Sequence, residues 1–306
     1  MVHVSSKSSA KGQVKSISLP CRSHPTTVRI EQELNTAKTA AAVAASKPSA
    51  ETICSGLSQL AELYKCLDDL LNLSATRVLV SGDQNTKWVE ELVEESVNLL
   101  DVCGSIRDMV TQYKEHARDL QCVLRRRKTD LGCEKSVIGY NCFRKKMKKD
   151  VKLLVGSLKQ VENMIASGGS VVIGSDNHQL AAVTKAVIGV GETTVSVFES
   201  LLLFFSTPVS KPNRWSIVVS KLMHKGIVAC EDQQEHAIVN EFESVVDELL
   251  QMLCKNESST QQEKMQIAKC RLETLETQLE CMETGLECMF RQLIRTRATL
   301  LNIMSL

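Results

Sequence analysis

The amino-acid sequence predicts an all-α protein, built as an elongated antiparallel bundle of long, coiled-coil-like helices. Apolar residues recur in alternating steps of four and three through most of the chain, which is the spacing of a helix seam that packs against other helices. Aromatic residues make up only 4% of the chain, whereas sheet proteins depend on aromatic and β-branched side chains. Helix-breaking prolines are confined to Pro20, Pro25, Pro48, Pro208 and Pro212.

Residues 1–48 are expected to form a flexible arm, and residues 49–306 the helical bundle domain. The arm is rich in Ser, Lys and Ala and has no acidic residue before Glu31. An organelle transit peptide has the same composition and is the alternative interpretation. The segment SISLPCRSHP at 16–25 favours the arm, because it is too specific for a leader that is discarded.

The bundle is predicted to begin with a helix after Pro48, with Ser49 as its N-cap and Glu51 in its first turn. The apolar seam of this helix consists of Ile53, Leu57, Leu60, Tyr64, Leu67 and Leu71. A polar connection at 81–85 ends this region.

A helix of about 40 residues, roughly 60 Å long, is predicted from Val89 onward. Its seam consists of Leu92, Ser96, Leu99, Cys103, Ile106, Val110, Tyr113, Ala117, Leu120 and Leu124. Only Ser96 interrupts the apolar pattern. The cations at 125–128 favour a helix C-terminus, because they offset the negative end of the helix dipole.

A loop at 129–141 is predicted to lead into a basic helix, and residues 167–177, which contain three glycines, are expected to form a mobile linker. The seam of the basic helix consists of Met147, Val151, Leu154, Leu158, Val161 and Ile165. The apolar segment 180–205 carries Lys185, Glu192 and Glu199. Such charges disfavour a membrane-spanning helix, so a buried or interfacial helix is expected.

The last third is predicted to contain a short helix at 215–223, another at 238–252 and a final long helix after a polar patch at 256–262. The final seam consists of Met265, Ala268, Leu272, Leu275, Leu279, Met282, Leu286, Met289 and Leu293.

The charge of the chain is unevenly distributed, although its net value is only +1. The range 118–152 has 12 basic and 4 acidic residues, net +8, and 231–287 has 4 basic and 14 acidic residues, net −10. Such blocks can attract partners or meet each other inside one molecule. The second interpretation is favoured, because antiparallel helices bring unlike faces together.

Two basic clusters form the candidate anion-binding or partner-binding surface. It comprises Arg125, Arg126, Arg127, Lys128, Arg144, Lys145, Lys146, Lys148 and Lys149. These residues could bind phosphates, act as a nuclear import signal or meet anionic lipid. The structural alternatives are a solvated helix face, a capped helix end or pairing with the acidic third. Nucleic acid is not an expected partner, since aromatic residues for base stacking are scarce.

No catalytic, cofactor-binding or metal-binding residue is predicted. The fragment Gly189–Thr194 has only part of a phosphate-loop pattern, because Glu192 stands where that pattern has lysine. The histidines are scattered singly and no cysteine pair has zinc-type spacing. Cys281 and Cys288 are interpreted as small buried hydrophobic residues. A redox or metal role for Cys133 and Cys142 is the alternative.

The 12 cysteines do not indicate a secreted disulfide scaffold, because the chain is long and core-rich and opens without an apolar signal sequence. Reduced thiols in an intracellular protein are expected. The cytoplasm is the expected compartment, with chloroplast or membrane association as alternatives.

The two ends of the chain, SISLPCRSHPTTVRIEQELNTAK at 16–38 and LECMFRQLIRTRATLLNIMS at 286–305, contain patterns that helix periodicity does not require. LDDLLNL at 67–73, Leu99–Asp101 before Cys103, and LRRRK at 124–128 before Asp130 follow in the same order. In these segments the chain resembles the plant BYPASS-like family over nearly its whole length.

The resemblance implies a plant-specific helical protein linked to root and shoot development and to a mobile root-derived signal. The family has no agreed catalytic residues, so none is carried over. We therefore expect a non-enzymatic interaction or regulatory protein with unidentified protein partners. The alternatives are an enzyme or regulator acting on a small signalling metabolite, and a peripheral protein on an anionic membrane surface.

Overall fold

The all-α prediction is confirmed by a computed structural model, which describes residues 24–82, 85–126, 131–173, 178–206 and 261–306. These ranges contain seven helices and no strand. The helices are α1 (Pro25–Ser46), α2 (Ala50–Leu71), α3 (Ser74–Val80), α4 (Thr86–Arg126), α5 (Leu131–Ile173), α6 (His178–Ser206) and α7 (Gln261–Met304). The helices predicted at 215–223 and 238–252 lie outside the described residues.

The six longer helices pack around one apolar core. Each contacts the next in the cycle α1, α2, α7, α4, α5, α6 and back to α1, and α2 and α6 also contact each other across it. The helix α3 contacts α2 and α6. The result is a bundle in which every long helix has at least two helical neighbours.

The helices α4 and α7 are antiparallel, as predicted for this bundle. Arg118 near the end of α4 pairs with Glu276 in the first half of α7, and Ser96 near the start of α4 contacts Arg297 near the end of α7.

The helices α2 and α7, in contrast, run parallel. Leu57 of α2 packs against Gly285, and Asp68, three turns later, accepts a hydrogen bond from Thr299. The bundle therefore mixes parallel and antiparallel neighbours. Coiled-coil packing in the strict sense stays a prediction.

Residues 25–46 are not a flexible arm but the packed helix α1, which contacts α2 and α6. Pro25 occupies its first turn, and the ring Nδ1 of His24 accepts a hydrogen bond from the amide of Thr26. Proline suits this position, because the first helical N–H groups have no acceptor within the helix. The buried residues of α1 are Ile30, Leu34, Ala37, Ala41 and Ala44.

The predicted start of α2 is confirmed. Ser49 caps the helix: its Oγ accepts from the amide of Thr52 at 3.2 Å, and the Oγ1 of Thr52 accepts from the amide of Ser49 at 3.0 Å. Glu51 lies in the first turn. All six predicted seam residues of α2 are buried.

The long helix predicted after Val89 is α4, of 41 residues. Its seam is buried wherever side chains are described, and the same holds for α7. Ser96 interrupts the apolar seam of α4 because its Oγ accepts a hydrogen bond from Arg297 at 3.1 Å. Arg297 also donates to the carbonyl of Val93 at 2.7 Å. A polar contact between α4 and α7 thus explains this exception to the pattern.

The predicted loop at 129–141 is wrong from residue 131 onward, because α5 already begins at Leu131. The mobile linker predicted at 167–177 is likewise wrong up to Ile173, which α5 includes, and residues 174–177 lie outside the described part. Of the predicted seam of α5, Leu154 is half-buried and the other residues are buried. The sequence-based prediction thus made α5 too short at both ends.

The apolar segment at 180–205 forms α6, much of which lies inside the bundle. Among the described helices, α6 alone is long and apolar enough to cross a membrane by length and composition, and 67% of its most apolar stretch is buried. A core helix of a bundle meets the same criteria, so this finding is weak evidence for a membrane span. Near the end of α6 the core contains a cluster of aromatic side chains. The rings of Tyr113 and Phe205 stack there, with their centroids 4.5 Å apart.

Candidate functional site

The structure places only part of the predicted basic surface on described residues. Arg125 is exposed near the end of α4, whereas the side chain of Arg126 and residues 127–128 lie outside the description. On α5, Lys145, Lys146 and Lys149 are exposed, and Arg144 and Lys148 are half-buried.

The two basic clusters lie apart in the fold. Tyr113 packs against Phe143, and His116 lies near Tyr140, so α4 and α5 run antiparallel. The end of α4 therefore meets the start of α5. In that register, Arg125 is separated from the lysines of α5 by about 20 Å along the helix axis. The candidate site is the α5 cluster alone.

The lysines border a groove of about 440 Å³ between α5 and the end of α6. The lining residues are Lys148, Lys149, Lys152, Val151, Val155 and Ser206. Three cationic groups thus border an apolar floor, and none of the described lining residues is a carboxylate. We refer to Lys145, Lys146, Lys148, Lys149 and Lys152 as the lysine cluster.

Within the described ranges, no residue of the lysine cluster forms an ion pair. The solvent face of α5 next to the cluster also carries Leu153, which is 71% exposed. A concentration of positive charge without a counter-ion attracts anionic groups, and it does so less strongly as salt increases. Among the described residues, this face of α5 is therefore the candidate surface for an anionic group.

The oppositely charged blocks of the sequence do meet, but only at one place in the described chain. Arg118 pairs with Glu276 at 2.5 Å and with Glu280 at 3.1 Å. Beside them, Lys114 forms an ion pair with Glu283. These cations hold the pKa values of Glu276 and Glu283 below their usual range. Among the residues that the structure describes, intramolecular pairing thus joins α4 to α7 and does not extend to the lysine cluster.

The fragment at 189–194 is part of α6 and has no loop geometry. A Cβ atom at Gly189 would lie 2.6 Å from Leu34 Cδ2, and one at Gly191 would lie 2.7 Å from Ile165 Cδ1. Both glycines therefore serve close helix packing. The hydroxyl groups of Thr193 and Thr194 donate to backbone carbonyls of the same helix.

The interpretation of Cys281 and Cys288 as buried hydrophobic residues is wrong for Cys281, which is exposed, and Cys288 is half-buried. Cys142 is exposed on α5, and Cys133 lies in a stretch whose side chains are not described. Burial, together with the neighbouring thiol of Cys281, raises the pKa of Cys54 to about 12. In the described part of the chain, no group of three or more His, Cys, Asp or Glu residues is arranged to hold a metal ion.

A small cavity of about 40 Å³ with several polar lining residues lies in the described core, where α2, α4, α6 and α7 meet. Its polar lining residues are Tyr64, Glu95, Ser96 and Thr296. A volume of this size holds about three water molecules, whereas sites for drug-sized ligands measure roughly 300–1,000 Å³.

Three residues of these sites were not singled out in the sequence. Lys152 lies three residues after Lys149, a spacing that places both on one helix face. Glu95 belongs to a second row of buried residues on α4, spaced seven apart, which includes Trp88, Val102 and Met109. Ser206 reaches the groove only because α6 packs on α5, so no local signal identifies it.

Two of the segments that resemble the BYPASS-like family, 67–73 and 286–305, also meet in the structure. Asp68, within LDDLLNL, accepts a hydrogen bond from Thr299 Oγ1 at 2.7 Å, and Thr299 lies within the second of these segments. A family model described as Protein BPS1 matches residues 56–303. No curated protein matches the chain, and no solved structure matches it.

Proposed function

This chain belongs to the BYPASS-like family of Protein BPS1, and from that premise we propose that it is a non-enzymatic interaction protein of root and shoot development. Its proposed binding surface is the lysine cluster on α5. The proposed partner is a protein that presents an acidic surface.

The observation that carries this proposal is the lysine cluster itself. Lys148, Lys149 and Lys152 surround a groove with an apolar floor, while Arg118 and Lys114 of α4 are already paired with glutamates of α7. Within the described part of the chain, internal pairing thus leaves the cations of α5 available to another molecule. A partner segment with acidic and apolar side chains would match both features of the groove.

An enzyme or metabolite-binding regulator is the less supported alternative. Such a function requires a pocket in which polar groups converge on a substrate. The polar cavity in the core has about 40 Å³, which is too small for a metabolite of more than a few atoms. The rest of the core is filled by a continuous set of buried apolar side chains.

The test is affinity purification of the full-length protein from plant tissue, followed by reconstitution with each purified partner. The test variant changes Lys145, Lys146, Lys148 and Lys149 to Glu. Binding should fall at least tenfold, because charge reversal makes the surface repel acidic groups.

The matched control reverses four exposed lysines elsewhere in the bundle, namely Lys47, Lys87, Lys159 and Lys185. It has the same net charge as the test variant and should retain the partners. Equal loss of binding in both variants, or in neither, would contradict the assignment to the lysine cluster.

A second function, binding to an anionic membrane surface, is favoured by Leu153. This side chain is 71% exposed and lies one turn after Lys149 and next to Lys152 on α5. A basic helix face with an exposed apolar side chain is suited to lipid headgroups, because the lysines attract anionic lipid and the leucine enters the interface.

Flotation with vesicles separates this function from protein binding. Vesicles of phosphatidylcholine with phosphatidylserine should carry the protein upward, and vesicles of phosphatidylcholine alone should not. Leu153→Ser and the four-lysine variant should both reduce flotation. Absence of flotation with phosphatidylserine at low salt would exclude the membrane alternative.

A further inference from the structure

The polar cavity in the core contains an acidic side chain that has no partner among the described residues. Glu95 projects from α4 and is only 9% exposed. Neither an ion pair nor a hydrogen bond to its carboxyl group is present in the described ranges. Most of the surrounding wall is apolar, including Leu92, Leu99 and Leu293. A carboxylate in such a place would lose its hydration without compensation.

Thr296, which also lines this cavity, contributes a second buried polar group. The hydroxyl of Thr296, on α7, has no hydrogen-bond partner in the described chain, and the residue is 7% exposed. The other two polar lining residues are already engaged. The Oγ of Ser96 donates to the carbonyl of Val93, and the Tyr64 hydroxyl is bonded to Thr194. Two polar groups therefore remain for a ligand.

The packing of α6 preserves the space around the carboxyl group. A Cβ atom at Gly191 would lie 3.1 Å from Glu95 Oε1. The absence of a side chain there lets α6 approach the acid without displacing it.

Three ligands could compensate the carboxyl group: a cation, water or a proton. A cation would have to give up its own hydration, and the cavity offers only one carboxyl group and few free oxygen atoms in return. A proton removes the charge altogether. Water can then bridge the neutral acid and the Thr296 hydroxyl, since a buried water usually makes about three hydrogen bonds.

We propose that this cavity is a binding site for a proton and for two or three water molecules, with Glu95 as the proton acceptor and Thr296 as the second anchor of the water. Glu95 is then a neutral carboxylic acid at neutral pH, which donates one hydrogen bond and accepts others. Consistently, burial raises the pKa of Glu95 to about 8. The packing of four helices is thereby coupled to pH.

None of the other ionisable groups near the cavity takes the place of Glu95 as the proton acceptor. From α2, Tyr64 lines the cavity. Burial raises the pKa of its phenol well above the ordinary value, so this group stays neutral. From α4, the thiol of Cys103 is bonded to the carbonyl of Leu286. From α7, the guanidinium of Arg297 is held by Val93 and Ser96. The part of α6 that lines the cavity contributes Val187, Val190 and Gly191, which do not titrate.

Infrared spectroscopy of the full-length protein tests the protonation state directly. At pH 7 the folded protein should show a carboxylic-acid C=O band that disappears when the pH rises to 9. With a pKa of about 8, roughly ten molecules are protonated for each ionised one at pH 7. The band should be missing in Glu95→Gln, which keeps the shape and hydrogen bonding of the acid. Glu94→Gln, at the exposed neighbouring position, should retain it.

Two results in solution would overturn the proposal. One is an unchanged band in Glu95→Gln, which would place the acid elsewhere. The other is a rise in the unfolding temperature of the native protein, but not of Glu95→Gln, when potassium replaces choline at equal ionic strength. That result would indicate a cation in place of the proton. A crystal structure at pH 6 with ordered water between Glu95 and Thr296 supports the proposal, and a dry cavity contradicts it.

Discussion

The guanidinium Nε of Arg295 lies 2.7 Å from Oδ2 of Asp68, and the two ends of this ion pair differ greatly in exposure. The side chain of Arg295 is 64% exposed, whereas that of Asp68 is 3% exposed. The pair joins the parallel helices α2 and α7. Water can solvate the arginine but not the aspartate. Removal of Arg295 should therefore lower the stability of the protein more than removal of the Asp68 charge.

Arg295→Ala should destabilise the protein by about 2 kcal/mol, because a buried carboxylate then keeps only the hydrogen bond from Thr299. Asp68→Asn should cost less, about 1 kcal/mol, since the amide still accepts from Thr299 and Arg295 becomes solvated. Urea unfolding of both variants measures these values. Arg291→Ala is the control: its pair with Glu287 is exposed and should contribute about 0.5 kcal/mol or less. A larger effect for Asp68→Asn than for Arg295→Ala would contradict this explanation.

Ser96→Leu should destabilise the bundle, although it completes the apolar seam of α4. The leucine removes one of the two acceptors of Arg297, whose partly buried guanidinium then keeps only the carbonyl of Val93, with an expected cost of about 2 kcal/mol. Thermal unfolding checks this. Ser105→Leu, at an exposed position of the same helix, should change stability by about 0.5 kcal/mol or less. Stabilisation by Ser96→Leu would mean that apolar burial at this position contributes more to stability than the hydrogen bond with Arg297.

Gly189→Ala should destabilise the protein by about 1 kcal/mol, as the new methyl group meets Leu34 at 2.6 Å. Overpacking costs about 1–3 kcal/mol, and the better helix propensity of alanine recovers only about 1 kcal/mol. Gly156→Ala is the converse case, because the space around this exposed glycine of α5 is open. It should stabilise by roughly 0.5–1 kcal/mol. Denaturant midpoints of the two variants should therefore shift in opposite directions.

The stability of the native protein should decline between about pH 5 and pH 8 relative to Glu95→Gln. The unfolded chain ionises Glu95 near its ordinary pKa of 4.5, whereas the folded chain retains the proton until about pH 8. The folded state thus binds more protons in this window, so its free energy of unfolding falls as pH rises. The difference between the two proteins should reach a few kcal/mol. Parallel pH profiles would exclude a raised pKa in the folded state.

Much of the fold was predictable from sequence, because the burial of a helix face leaves a local periodic signal. The seams of α2, α4 and α7 follow from their own residues, and the capping pair of Ser49 and Thr52 marks a helix start. The same signal was present in α1, where Ile30, Leu34, Ala37, Ala41 and Ala44 also alternate in steps of four and three. Alanine is a weak marker of burial, so composition suggested an arm instead.

The candidate site was predictable only in part. The density of lysines in α5 is a property of the sequence, and it identified four members of the lysine cluster. The groove forms only because α6 ends beside α5. The sequence around Ser206 does not predict this packing. Glutamate is usually a surface residue. Glu95 is buried because α4 has both α5 and α7 as neighbours.

The sequence by itself determined that this chain is helical, which faces of its helices are apolar and to which family it belongs. Only the tertiary structure decided that α2 and α7 run parallel and that Arg118 rather than the lysine cluster pairs with α7. It also decided that Glu95 is buried without a partner among the described residues. The physical reason is that periodicity records whether a side chain is buried, whereas the partner of a buried or charged group depends on which helices become neighbours. That choice is made by the packing of the whole bundle.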